Sequence, residues 1–386
     1  MTDSRPRLAF VVDRFGARFG GAEAYGVALM RELSADHEIT VFAREYDPEC
    51  GVSLPFVPLR SWGGWPSWVR VLLFAIRARR ATRTGFDVVH SHMNGWCGNV
   101  EVVHVTPVRY NWRVRPLPWL KKALSYISPR VQTYLGLERR RVAPAAGRRT
   151  VAVSGLIAEQ LHQAYGAGLS VPIIPPGVQR PESADPIARE EMRRSLGWSA
   201  EDTVCLLVAR NPQRKGLPTV LAALDSLPDD VKLLVVGGNA ATRESVLKHA
   251  DGRLFERVRV IDATPDVAPY YQSADIYVHP TLNDSFGMAP LEAMSFGLPV
   301  ILSPSPWCGF AQYVTHHANA LVLPHPEDAS QLAAYVRQLA GDRPLRATLV
   351  QGGYAVVDRH SWPEIAERYR ELYRVLRAEQ GPGLRS

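Results

Sequence analysis

Short β-branched runs that alternate with stretches of helical spacing leave few folds open. Strands of that kind, joined by helices, form parallel sheets with crossover connections. The alternation occurs twice here. A strand over residues 8–12 is followed by a helix over 22–33, on which Ala22, Gly26, Leu29, Met30 and Leu33 share one face. Further strands fall at 39–42, 88–90, 102–105 and 150–153. The pattern restarts with a strand at 204–209, a helix at 217–227 and strands at 232–236, 258–261, 275–278 and 299–302. A Pro-rich, partly charged stretch, 175–194, reads as the linker. The closing helix starts at Ser361, where Ser361 and Glu364 form a capping box. Trp362, Ile365, Ala366, Tyr369, Leu372, Tyr373 and Leu376 then line one face, which must dock, most simply back across the junction. The chain therefore reads as α/β, with doubly wound domains at 1–175 and 176–360 and a helical segment at 361–386 that returns to the first domain. Two such domains facing each other would turn the carboxyl ends of both sheets toward a shared cleft, where ligands of these folds bind.

Composition narrows the class. At 386 residues the chain is long for one core. Its 46% hydrophobic and 22% charged content excludes disorder, collagen and coiled coil. The longest uninterrupted apolar runs, 71–76 and 204–209, are six residues, against the roughly 20 of a spanning helix. The N-terminus lacks the order of a signal peptide. Cys50, Cys97, Cys205 and Cys308 stand far apart with no C-x-x-C pair, pointing to a reducing compartment and no zinc knuckle. The expected location is cytoplasmic, peripheral at most on the inner face of the membrane. The net charge of +7 is uneven: residues 1–175 hold 23 Lys/Arg against 13 Asp/Glu, and 176–386 hold 22 against 25. A basic first half implies an anionic partner.

Three motifs sit at strand ends. Phe15 to Glu23 contains Gly20-Gly21 just before a helix, where backbone amides can approach an anion, though a plain tight turn fits as well and the G-x-G-x-x-G spacing is absent. Arg210, Arg214 and Lys215 follow the first strand of the second half and suit a diphosphate, with a solvated basic turn as the competing reading. The third motif runs from Asn283 to Met294. A helix opens near Gly287, and the amides of 286–288 would point at a phosphate. Asp284 and Glu292, eight apart, offer two carboxylates for sugar hydroxyls. A helix cap would account for Asp284 and the helix dipole for Glu292.

With these residues the chain resembles the family 4 glycosyltransferases of GT-B type, retaining enzymes that use nucleotide-sugar donors. Their E-x7-E motif stands here as Asp284 and Glu292, within Ser285-Phe286-Gly287 and Leu291-Glu292-Ala293-Met294. Gly20-Gly21-Ala22-Glu23, Pro176-Gly177-Val178, Arg214-Lys215-Gly216 and Ser361-Trp362 fall in family order. The resemblance implies a GT-B architecture of two facing Rossmann-like domains. It implies that Lys215 with Arg210 or Arg214 binds the donor diphosphate, that Gly20-Gly21 closes over it, and that Ser285, Phe286, Gly287 and Met288 line the donor site. Glu292 would hold the ribose and Asp284 the donor sugar, although Asp is one methylene shorter than the family's Glu. His104 aligns with a histidine beside the reacting sugar, with His90 and His92 as competitors for that role. The sequence holds no D-x-D pair, so a metal-independent reaction without cofactor is expected, with cations and helix amides stabilising the leaving diphosphate.

The acceptor falls to the first half. Residues 109–149 carry eleven Lys/Arg (Arg109, Arg113, Arg115, Lys121, Lys122, Arg130, Arg139, Arg140, Arg141, Arg148 and Arg149) against one acid, Glu138. Upstream, Trp62, Trp65 and Trp68 precede the apolar run 71–74 amid arginines, the composition of an interfacial helix on anionic lipid, with a core helix as the alternative. No nucleic-acid-binding module is present. Segments 134–140 and 308–314 are similar to lipopolysaccharide-core α-glucosyltransferases. The expected function is transfer of a sugar, from a UDP-sugar before other donors, to a lipid-linked or lipopolysaccharide-core saccharide at an anionic membrane surface. A degenerate nucleotide-sugar-binding module and a non-hydrolysing nucleotide-sugar epimerase are the alternatives.

Overall fold

The computed structural model describes residues 5–60, 63–181, 185–249, 254 and 256–380. It divides into two compact units, one of residues 1–177 with 362–386 and the other of residues 178–361. Trp62, named above, lies outside the described residues, as do 381–386 of the closing segment.

In the first unit the strands of the main sheet are β1 (Arg7–Val11), β2 (Glu38–Ala43), β3 (Phe56–Pro58), β4 (Val88–Ser91), β5 (Val100–Val103) and β6 (Arg149–Ala152). They form one parallel sheet in the order β3-β2-β1-β4-β5-β6. The second unit repeats the plan with β7 (Thr203–Val208), β8 (Val231–Gly238), β9 (Val258–Asp262), β10 (Ile276–His279), β11 (Val300–Leu302) and β12 (Leu321–Val322), in the order β9-β8-β7-β10-β11-β12. Both are α/β doubly wound sheets whose strand order reverses between the first and fourth strands. The crevice at that reversal, at the carboxyl ends, is where such sheets take ligands.

Burial follows the strand pattern. Leu8, Ala9, Phe10 and Val11 are fully inaccessible, as are Leu206, Leu207, Leu233, Leu234 and Val235, because helices cover both faces of each sheet. The closing helix Trp362–Gln380 packs within the first unit, where Ile365, Ala366, Tyr369, Tyr373 and Leu376 are buried and Tyr369 Oη meets Tyr25 Oη at 2.7 Å.

Three expectations change. The strand expected at 102–105 is Val100–Val103; Val105 is 65% exposed, and the strand instead takes in Glu101, which is fully buried against Arg141 and Arg148. Part of the expected linker is a helix, Pro186–Ser195, capped by Asp185 Oδ1, which accepts from the amides of Ile187 and Ala188. Two of its charges are not solvated linker charges: Arg193 is 3% exposed and, with Arg189, pairs with Asp275, while Glu190, Glu191 and Arg194 are exposed. The Trp/Arg-flanked helix, Ser67–Ala81, turns Phe74, Ala75 and Ala78 into the core and leaves Trp68, Val69, Val71, Leu72 and Leu73 half-buried.

Candidate functional site

The second unit brings its two motif loops together at the β7/β10 reversal. The loop after β7 folds as a tight turn, with the Lys215 amide donating to Pro212 O at 3.0 Å and the Arg214 amide to Asn211 Oδ1 at 3.2 Å. Gly216 ends it at φ +88, where a Cβ would stand 2.0 Å from Pro280 O. Only glycine allows the turn to lie this close to the end of β10. The Leu282 amide donates to Arg214 O at 3.1 Å and ties the second loop to the first. Arg210 and Arg214 are exposed beside Lys215.

Lys215 Nζ forms an ion pair with Asp284 Oδ2 and donates to Asn283 O at 3.3 Å. His279, at the end of β10 and buried, places Nε2 3.0 Å from the same Asp284 oxygen. Burial alone would raise the Asp284 carboxyl, but the His279 hydrogen bond and the Lys215 charge outweigh it and hold the group far below the usual carboxylate range. His279 is pushed down by its burial, with the Asp284 bond opposing, so it is neutral near pH 7 and donates through Nε2. Asp284 is therefore not a helix cap. The helix Met288–Ser295 is capped by Gly287 at φ +108, with no side-chain hydrogen bond to its amides.

Glu292 lies one turn into that helix, half-buried, and its Oε2 accepts from Tyr271 Oη at 2.9 Å. Burial pushes its carboxyl up, and the Tyr271 bond offsets part of this. Phe286 faces inward against Phe310, Tyr313 and His360, so only its backbone is on the site side. Ser285 and Met288 flank it, both half-buried. The segment from Trp307 to Phe310 straps this loop: Asp284 N donates to Trp307 O at 2.7 Å and Gly309 N to Asp284 O at 3.0 Å. His279 and Tyr271 were given no role in the sequence reading. His279 had a signal, the His-Pro pair closing a strand, while Tyr271 meets Glu292 across 21 positions and carried none.

In the first unit, Gly20 and Gly21 open the helix Gly21–Leu33, again without a side-chain cap, and a Cβ on Gly21 would meet nothing within 4 Å. His104 directly follows β5, its ring 5.0 Å from Tyr25 and 4.3 Å from His92, and its Nε2 is buried without a partner. Burial pushes His104 and His90 each down to about 3, and His92 also falls well below the usual value. His90 is committed to the interior, with Nδ1 2.5 Å from Tyr373 Oη and Nε2 3.0 Å from His92 Nε2. His92 Nδ1, like His104 Nε2, has no partner. Among the described residues these side chains make no metal-binding group.

Most of the basic segment is outward: Arg109, Arg115, Lys121, Lys122, Arg130, Arg139 and Arg140 are exposed, whereas Arg141 is 6% exposed and donates to Val102 O, and Arg148 pairs with the buried Glu101. Its exposed apolar residues gather on the helix Trp119–Ile127, where Trp119 is 80% and Ile127 75% exposed, with Leu120, Leu124 and Tyr126 more than half so and Lys121 and Lys122 among them.

Two six-stranded parallel sheets of this order, each doubly wound, are the architecture of the GT-B fold. Residues 19–180 match Glycosyltransferase Family 4 and residues 188–356 match Glycosyl transferases group 1; the chain belongs to the family 4 glycosyltransferases. It is 27% identical over 392 residues to the D-inositol 3-phosphate glycosyltransferase of Xylanimonas cellulosilytica, covering 92% of this chain and 91% of that one. It is 29% identical over 204 residues to the lipopolysaccharide glucosyltransferase WaaG of Escherichia coli K12, covering 50% of this chain and 54% of WaaG. Two solved structures share the fold. The crystal structure of WaaG has a TM-score of 0.77 at 19% identity, over 95% of this chain and 99% of that one. Anabaena HepE in complex with UDP and glucose has 0.73 at 17%, over 95% and 98%.

Proposed function

We propose that the chain moves a sugar from a UDP-sugar to a hydroxyl of a lipid-linked or lipopolysaccharide-core saccharide at the cytoplasmic face of a membrane, with retention and without a metal. The observation that carries the reading is the joined pair of loops at the β7/β10 reversal, with Lys215, Asp284 and His279 in one hydrogen-bonded group and Glu292 one helical turn away. Arg210, Arg214 and Lys215 with the free amides at Gly287 and Met288 supply positive potential for a leaving diphosphate, which is where charge grows in the transition state. Glu292, steadied by Tyr271, takes the ribose hydroxyls. Asp284, kept ionised by Lys215 and His279, takes a hydroxyl of the donor sugar. The acceptor belongs to the first unit, where, among the described residues, the unpartnered His104 Nε2 offers a neutral hydrogen-bonding group, while the uncapped helix start at Gly20-Gly21 offers its amides to the donor diphosphate. Neutral at working pH, His104 acts by orienting a hydroxyl.

No far-face nucleophile stands out for a double displacement, so the acceptor hydroxyl attacks from the front face. The departing phosphate takes its proton, and rate comes from positioning and charge stabilisation. UDP is supported by HepE, solved with UDP and glucose, and the acceptor class by WaaG. The exposed apolar and lysine residues of Trp119–Ile127 support contact with an anionic membrane surface. Incubation with UDP-glucose and truncated lipopolysaccharide in anionic vesicles tests the proposal. Glucosylated product is expected, and no transfer above a lipid-free control would overturn the acceptor.

A further inference from the structure

The second unit has a cavity of about 460 Å³ at the opposite end of its sheet. Asp275 and Pro299, which line it, precede β10 and β11, whereas Asp284 and Lys215 follow the carboxyl ends of β10 and β7. Its acid, Asp275, is already doubly paired, by Arg189 Nη2 at 2.5 Å and Arg193 Nη2 at 2.6 Å. Arg189 is also engaged, donating to Gln272 O at 2.8 Å and Ala274 O at 2.6 Å.

Three donors remain. Arg180 lies 3.8 Å over the ring of Tyr354, and Arg346 stands on the same wall, with Arg346, Val350 and Tyr354 spaced by four along the helix Arg343–Asp358. Among the described residues neither guanidinium has a carboxylate partner, and the Tyr354 hydroxyl has no acceptor. Gly297, at φ +75, keeps the rim open, since a Cβ there would stand 2.4 Å from Tyr354 Oη. Two unpaired guanidiniums and a phenol beside an aromatic wall match a phosphate ester with a hydroxylated body. The volume suits a small molecule.

We propose that this cavity binds a phosphorylated metabolite of hexose-phosphate size, its phosphate held by Arg180 and Arg346 and a hydroxyl by Tyr354. The site is independent of the donor assignment, although the two share a wall: Tyr271 lines the cavity and its hydroxyl bonds Glu292.

Calorimetric titration of the full chain with glucose 6-phosphate, glucose and inorganic phosphate tests this. Glucose 6-phosphate is expected to bind and glucose not to. Arg180→Ala and Arg346→Ala should each weaken binding about tenfold or more, the loss of one charge-assisted contact. Lys215→Ala should leave it unchanged. Among the described residues neither arginine has a carboxylate partner, so a small change in melting temperature is expected for Arg180→Ala, which loses the Tyr354 ring contact, and none for Arg346→Ala. No binding of the ester at millimolar concentration, or binding weakened by Lys215→Ala and not by the arginine variants, would overturn the site. Phosphate binding as tightly as the ester would overturn the ester assignment.

Discussion

The two units share one strand order, yet the crevices at their reversals differ in kind. In the second, Lys215, Asp284 and His279 form a charged, bonded group with exposed arginines beside it. In the first, the corresponding region holds Tyr25, His90, His92 and His104, which burial keeps neutral. One topology therefore carries two chemistries. Fixed charge can hold an anion whose negative charge grows as it leaves, whereas neutral imidazole and phenol can orient a hydroxyl without attracting the anion. The proposed division of labour between donor and acceptor rests on that contrast.

Removing the charge should do most. Lys215→Ala is expected to cut turnover by about 10²-fold or more, the loss typical of one charge-stabilising contact, measured as initial rate at saturating donor. Glu292→Ala should cost about 10²-fold, mainly through donor affinity, which a kcat and KM split would reveal. Near-wild-type rates in both would erase the distinction between the units. His104→Ala should be milder, about tenfold in kcat with nucleotide affinity unchanged, because one neutral hydrogen bond is lost; a change in nucleotide affinity would place His104 with the donor instead.

Acid should separate the units with the smallest effect. His90 and His104 have pKa values depressed from 6.5 to about 3, so the unfolded chain binds their protons first. Their contribution to stability is whole above about 6.5 and is lost progressively as pH falls toward 3. Asp284, depressed below its usual 3.8, keeps its contribution until still lower pH. Hydrogen exchange between pH 7 and pH 5 should thus loosen the peptides of 88–104, with three histidines depressed by burial, before those of 276–292, where the one depressed histidine, His279, has the Asp284 bond opposing its burial. The reverse order would contradict the neutral-crevice picture.

The sheets were legible in the sequence because strands buried on both faces read as continuous aliphatic runs. The loops of the candidate site were legible because they follow such runs. What escaped depended on contacts distant in sequence. Glu101 looked like a strand boundary, since its partners Arg141 and Arg148 lie forty or more positions on. The helix Pro186–Ser195 looked like a linker, since Arg189 and Arg193 are answered by Asp275, eighty or more positions on. The helices Ser67–Ala81 and Trp119–Ile127 both mix tryptophan, aliphatic and basic residues, and only packing shows that the first buries Phe74, Ala75 and Ala78 while the second leaves its apolar residues exposed. Asp284 fitted a cap until Lys215 and His279 were seen to hold it.

If the second unit's charged crevice holds the nucleotide of the donor, Lys215 is what the nucleotide meets first. Calorimetric titration of UDP into the wild-type chain and into Lys215→Ala should show binding to the wild type that weakens at least about tenfold in the variant, as expected for one charge-assisted contact. UDP binding of equal strength in both, or no binding of UDP, GDP or ADP to the wild type, would contradict that placement of the nucleotide.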